Sequence, residues 1–158
     1  IISVPIKDAK KELTVAKELF EGANFVTIDA IEHDKKIAVI LGLTHLMNLV
    51  FANIISKDEK MLLTEKMSGT TFRVQKTLAE SIMTETPELI ETIIANPEIR
   101  RVAEELWKDI GRLLTSVQES KTEEVIEYIK NCQERLSKHT DLDESYKKLS
   151  KMVKSVEK

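Results

Sequence analysis

The longest apolar stretch of the chain runs from residue 37 to residue 55 and is interrupted by one threonine, one histidine and two asparagines. Together with the residues around it, this stretch predicts one long helix over residues 31–56, with Thr27 or Asp29 as its N-cap. Apolar residues occupy every side of such a helix, so protein or lipid must enclose it.

A membrane-spanning helix and a buried protein helix both fit this length, since a bilayer is crossed by about 20 apolar residues. His45, Asn48 and Asn53 would each be costly in lipid. Lysines flank both ends alike, so no charge difference marks a cytoplasmic side. We therefore predict no membrane partner. Because a chain of 158 residues has little material to surround such a helix, we predict that two copies enclose it as a homodimer.

The beginning of the chain follows a different pattern, which is typical of a strand–helix–strand unit. Residues 2–6 are mostly β-branched, residues 8–22 repeat apolar positions after an aspartate N-cap, and residues 24–30 alternate in polarity. This pattern predicts the trailing end of an α/β sheet, which is too small to fold alone.

We expect residues 1–30 to end one domain and residues 31–158 to form a second, helical one. With only four glycines and three prolines, long helices are favoured. The predicted fold class is mainly α, a helical-bundle dimerisation domain with a short N-terminal strand–helix–strand remnant. Further helices are predicted after a capping box at Ser56–Glu59, from the 68–71 turn to about Glu85, from Pro87, from Pro97 to about Ser120, over Val125–Leu136 and over Leu142–Val156.

Composition argues against a nucleic-acid partner. The net charge is −3 and aromatic residues make up 4% of the chain. Neither a basic surface nor stacking platforms for bases are therefore expected.

Cys132 is the only cysteine, which excludes an intrachain disulfide and a cysteine-based zinc site. A single cysteine fits a reducing compartment, so we expect a cytoplasmic protein. The opening IISVPIKD lacks the basic region and cleavage pattern of a signal peptide. Because residue 1 is isoleucine, we expect the chain to be a piece of a longer protein.

The histidines of the long helix do not form a metal site. His33 and His45 are twelve residues apart, which separates them by about 18 Å along a straight helix. No metal is therefore predicted. His45 and Asn48 share one side of the helix, where a core histidine is commonly satisfied by a backbone carbonyl.

A second polar stripe lies on the helix that follows residue 71. Arg73, Thr77, Glu80 and Thr84 recur at steps of four, three and four residues. A solvated face with an exposed Arg–Glu pair is the simplest interpretation. Arg73, however, stands in the first helical turn, where a cation opposes the helix dipole and an anionic ligand would be favoured.

Two segments resemble the helical domain of prephenate dehydrogenases, the tyrosine-biosynthesis family. Residues 32–46 read EHDKKIAVILGLTHL, which is similar to a Glu-His-Asp cluster, an apolar helix and a second histidine. Residues 68–100 follow with an aromatic–Arg pair, Phe72 and Arg73, and then a PELI segment. The resemblance covers about residues 24–140.

This resemblance implies an enzyme that oxidatively decarboxylates prephenate or arogenate and passes hydride to NAD or NADP. It implies that the cofactor sits mainly on an N-terminal Rossmann domain and that the helical domain forms an intertwined dimer. By matching position, Arg73 would bind a substrate carboxylate, and His45 and His33 would line the same cleft. Asp34 would fix a histidine tautomer or a helix end, and Thr77 would have a supporting role.

Departures from the family pattern limit what this chain does alone. It has no Gly-x-Gly-x-x-Gly motif, and the family's catalytic histidine lies on the domain that is missing. We therefore predict no catalytic residue here and no turnover by the chain alone. Gly42, Thr44 and Thr77 replace a histidine, a proline and an arginine found in some branches, which leaves prephenate and arogenate both open.

Two other functions fit the same residues. The chain could be a non-catalytic helical module for protein–protein interaction, or the helical domain of a related hydroxy-acid dehydrogenase. In the first case, the polar residues at positions 33, 45 and 73 would have no reason to converge.

Overall fold

The computed structural model describes residues 1–57, 59–60 and 67–156. This part of the chain is mainly helical with one small N-terminal sheet, which confirms the predicted fold class. The elements are β1 (Ile2–Ser3), α1 (Ala9–Leu19), β2 (Val26–Thr27), α2 (Ala30–Ile37), a π-helical segment (Ala38–Leu43), α3 (Thr44–Ser56), α4 (Thr70–Ile82), α5 (Pro87–Ile94), α6 (Pro97–Gln118), α7 (Thr122–Ser137) and α8 (Leu142–Val156).

The strand–helix–strand unit predicted at the N-terminus is present. β1 and β2 pair in parallel, with Ile2 opposite Val26 and Ser3 opposite Thr27. Both strands are shorter than predicted, because the residue after Val4 is proline, which cannot donate to a ladder. α1 begins as predicted at Asp8, whose side chain accepts from the backbone N–H groups of two lysines.

The loop between β1 and α1 is closed by a carboxylate from α1. Glu12 accepts hydrogen bonds from the backbone N–H groups of Ile6, Lys7 and Asp8 at 2.9, 2.8 and 2.9 Å. These backbone donors, first of all that of Asp8, hold the pKa of the Glu12 carboxyl below its usual range. The free N–H groups of this loop are thus satisfied within the chain.

The helices after residue 67 begin and end close to their predicted bounds. Pro87 and Pro97 each lie in a first helical turn, capped by the side chains of Thr86 and Asn96. The capping box at Ser56–Glu59 and the short helix after it fall largely outside the described residues.

The long apolar helix is not the uninterrupted α-helix that was predicted. Asp29 caps α2, but Ala38–Leu43 is π-helical before α3 continues. This segment packs against α6, and a Cβ placed on Gly42 would overlap the Cδ1 and Cγ1 atoms of Ile99. Gly42 thus leaves room for the side chain of Ile99. The core lies at this contact, with Ala38, Ile99 and Val102 buried and Leu43 and Leu46 packed against them.

Gly42→Ala is expected to destabilise the fold despite the better helix propensity of alanine. Overpacking a tight contact costs about 1–3 kcal/mol, which exceeds the roughly 1 kcal/mol that alanine gains over glycine in a helix. Urea unfolding measures the change. Gly111→Ala is the matched control, because a Cβ there meets nothing within 4 Å, and it should stabilise the protein. Adding Ile99→Ala to Gly42→Ala should cost less than the sum of the two single changes. Equal stabilisation by both alanines would disprove the close contact.

The other helices pack around α3 and α6. α4 packs on α3, α8 packs on α4, and α7 packs on α6. By length and composition alone, Ala30–Ser56 is long and apolar enough to cross a membrane, a test that core helices of soluble proteins also pass. One side of this helix is covered by α4 and α6.

Candidate functional site

Two buried polar side chains on α3 mark the interior of the described part of the molecule. His45 is 5% exposed; its Nδ1 lies 2.8 Å from the backbone oxygen of Leu41, the kind of carbonyl partner expected for it. Its Nε2 lies 3.3 Å from Oε2 of Glu85, in the turn between α4 and α5. Sequence reasoning missed Glu85, which is forty residues away.

Asn48, one turn along α3, extends this arrangement to α4. Its Nδ2 donates to the backbone oxygen of Thr44 and its Oδ1 accepts from Nε2 of Gln75, each at 2.8 Å. Gln75 was also missed. It lies three residues after Phe72 and four before Ala79, which places it on the apolar face of this helix. A polar residue on an apolar face was the feature of the sequence that could have identified it. We call His45, Asn48, Gln75 and Glu85 the polar cluster.

Helix packing fixes the geometry of the polar cluster. Phe51 and Phe72 pack with ring centroids 5.8 Å apart and tilted by 56°, an arrangement that aromatic pairs favour. Since Phe51 meets Phe72 while Asn48 meets Gln75, α3 and α4 run antiparallel. The chain then turns after Ile82 and brings Glu85 back to His45.

Arg73 lies at the start of α4 on a different flank. Its Nε donates to Oγ of Ser68 at 3.2 Å, and its side chain is half-buried. Gln75 is two residues further on and is therefore turned by about 200° from Arg73 around the helix. Thr77, one turn after Arg73, donates its hydroxyl to the backbone oxygen of Arg73 at 3.0 Å.

His33 belongs to a third location, on α2. Its Nδ1 lies 3.1 Å from Oδ1 of Asp34, a distance at which an Nδ1–H would donate to the carboxylate. Asn96, the N-cap of α6, donates from Nδ2 to the backbone oxygen of Asp34 at 3.2 Å. Within the described ranges, no three His, Cys, Asp or Glu side chains are grouped to hold a metal ion.

These positions bring some predicted residues together and leave others apart. His45 stands in the polar cluster, while His33 with Asp34, and Arg73 with Thr77, occupy two further places on the surface of the helices. An imidazole and a guanidinium are both suited to bind a carboxylate.

The fold is that of a mainly helical domain with a short N-terminal strand–helix–strand unit. Residues 29–131 match the family described as "Prephenate dehydrogenase, dimerization domain". Because the match covers well over half of the chain, the chain belongs to this family, as its sequence motifs predicted.

A solved structure supports the fold. The chain is similar to the crystal structure of Synechocystis arogenate dehydrogenase with a TM-score of 0.65 and 14% identity, covering 88% of this chain and 51% of that one. The chain thus spans about half the length of that protein. Among curated protein sequences, none matches it.

Proposed function

We propose that this chain is the C-terminal helical half of an NAD(P)-dependent dehydrogenase that acts on prephenate or arogenate in the cytoplasm. In that enzyme it supplies the dimer interface and part of the substrate pocket. The observation that carries the proposal is the family match over residues 29–131, which spans the polar cluster, His33 and Arg73. Residues 1–30 would be the end of the preceding nucleotide-binding domain.

A homodimer explains an apolar stripe along α3. Met47, Val50 and Ile54 follow helical spacing and are exposed, with Val50 at 57%. They face away from the buried His45, Asn48 and Ile55. Exposed stripes of this kind mark interfaces, and a second copy of the same helix would cover this one.

A second apolar stripe, along α6, adds to the surface that a partner copy would bury. Trp107, Ile110, Leu114 and Val117 are spaced by three, four and three residues, and Trp107 is 78% exposed. Aromatic side chains are enriched in interface cores. Both stripes suit the intertwined pairing that the family implies.

The turn between β1 and α1, in the described part of the chain, does not offer a cradle for NAD or NADP. Dinucleotide-binding folds present glycine-rich backbone N–H groups to the phosphates at the first strand–helix turn. Here the equivalent turn contains no glycine, and its N–H groups are bonded to Glu12. We therefore assign cofactor binding to a separate domain and derive no chemical step within this chain.

The purified chain is accordingly expected not to reduce NAD or NADP in the presence of prephenate or arogenate. The same chain joined to its nucleotide-binding domain should do so. Absorbance of the reduced nicotinamide measures both reactions. Reduction by the chain alone would disprove the assignment of cofactor binding to another domain. If the joined protein reduces neither cofactor with either acid, the proposed function is wrong.

A further inference from the structure

Both ring nitrogens of His45 face oxygen atoms that accept hydrogen bonds. Nδ1 lies 2.8 Å from the Leu41 carbonyl oxygen and Nε2 lies 3.3 Å from the Glu85 carboxylate. A neutral imidazole carries one N–H, whereas an imidazolium carries two. We propose that Glu85 is a positioning residue that keeps His45 doubly protonated, so that His45 acts as a buried cationic donor.

Burial and charge support this assignment. The side chain of His45 is 7% exposed and that of Glu85 33%, and a buried cation is costly unless an anion pairs with it. On α4, Lys76 and Glu80 form an ion pair at 2.7 Å. The backbone N–H of Glu85 donates to the Ile82 oxygen at 3.1 Å, which anchors the turn that presents the carboxylate.

The charge state determines what His45 contributes to the pocket. An imidazolium has no free lone pair, so it cannot act as a general base. Its Nε2–H is already directed at Glu85, so an anionic ligand receives this hydrogen bond only by sharing it with, or displacing, the partly exposed Glu85 carboxylate. The role rests on the proposed function, in which the ligand is an acid that carries carboxylate groups.

Nitrogen-15 NMR of the imidazole in the intact chain tests the charge state. At neutral pH, both ring nitrogens of His45 should show protonated shifts. In Glu85→Gln, the amide can donate to an unprotonated Nε2, so the contact survives and the ring should become neutral. Glu88→Gln, an exposed glutamate three residues later, should leave the shifts unchanged. A neutral ring in the unaltered protein, or a cationic ring in Glu85→Gln, would overturn the proposal.

Kinetics of the full dehydrogenase test the role in binding. Glu85→Gln should raise KM for the acid substrate about tenfold with a smaller change in kcat, because Nε2 of the neutral ring no longer carries a proton that it can donate to the substrate. Glu88→Gln should have no such effect. An active enzyme whose KM is unchanged in Glu85→Gln would overturn the role of Glu85. If the unaltered full-length protein is inactive on both acids, the proposed function is wrong, and the NMR result on His45 still stands.

Discussion

Val50→Glu is expected to convert the proposed homodimer into monomers. Val50 lies in the middle of the exposed stripe on α3, and a two-fold interface places two new carboxylates in the same apolar contact. Burying a polar group without a partner costs at least about 2 kcal/mol. The two copies together should therefore weaken the dimer about a thousandfold.

Light scattering coupled to size-exclusion chromatography measures this change. Asn53→Glu is the matched control, since Asn53 is exposed on the same helix and is already polar; it should leave the dimer intact. A Val50→Glu protein that remains dimeric would place the interface elsewhere. An unaltered protein that is monomeric would contradict the homodimer itself.

Local signals were sufficient to predict most of the fold. Asp8 and Asp29 cap their helices and Pro87 and Pro97 begin theirs, because each satisfies or avoids the orphan N–H groups of a first turn. Such interactions involve residues three or four positions apart. They can therefore be recognised without knowing how the helices pack.

The π-helical segment could not be predicted in this way. It is positioned where Gly42 meets Ile99, a contact between residues 57 positions apart in the chain. The apolar run looks the same in sequence whether the helix is regular or widened. The register of side chains beyond Ala38 therefore depends on tertiary packing.

The candidate site was predicted only in part, because its contacts also depend on tertiary packing. His45 and Asn48 share one side of α3, and this was visible from spacing alone. Their partners Gln75 and Glu85 come from another helix and the turn after it. Antiparallel packing of α3 and α4 brings them together, and no short motif encodes that packing. The family resemblance supplied Arg73, but its flank of α4 became apparent only from the contact between Gln75 and Asn48.

Arg73→Ala is expected to raise KM strongly in the full dehydrogenase. Arg73 stands in the first turn of α4, where backbone N–H groups and the helix dipole add to the attraction of a guanidinium for a carboxylate. Losing a partly buried, charge-assisted contact typically costs about 2–5 kcal/mol. Steady-state kinetics with prephenate and arogenate measure the effect, and Arg73→Lys should recover only part of it, because lysine lacks the planar fork.

Two further variants separate substrate binding from a structural role of Arg73. Ser68→Ala removes the hydroxyl that accepts from Arg73 Nε, so it measures how much of the Arg73→Ala effect passes through this one contact. Arg101→Ala removes an exposed arginine paired with Glu105, and such pairs contribute about 0–1 kcal/mol. If Arg73→Ala behaves like Arg101→Ala, Arg73 belongs to a solvated face and the substrate carboxylate binds elsewhere. If Arg73→Ala raises KM and the two other variants do not, Arg73 binds the substrate carboxylate.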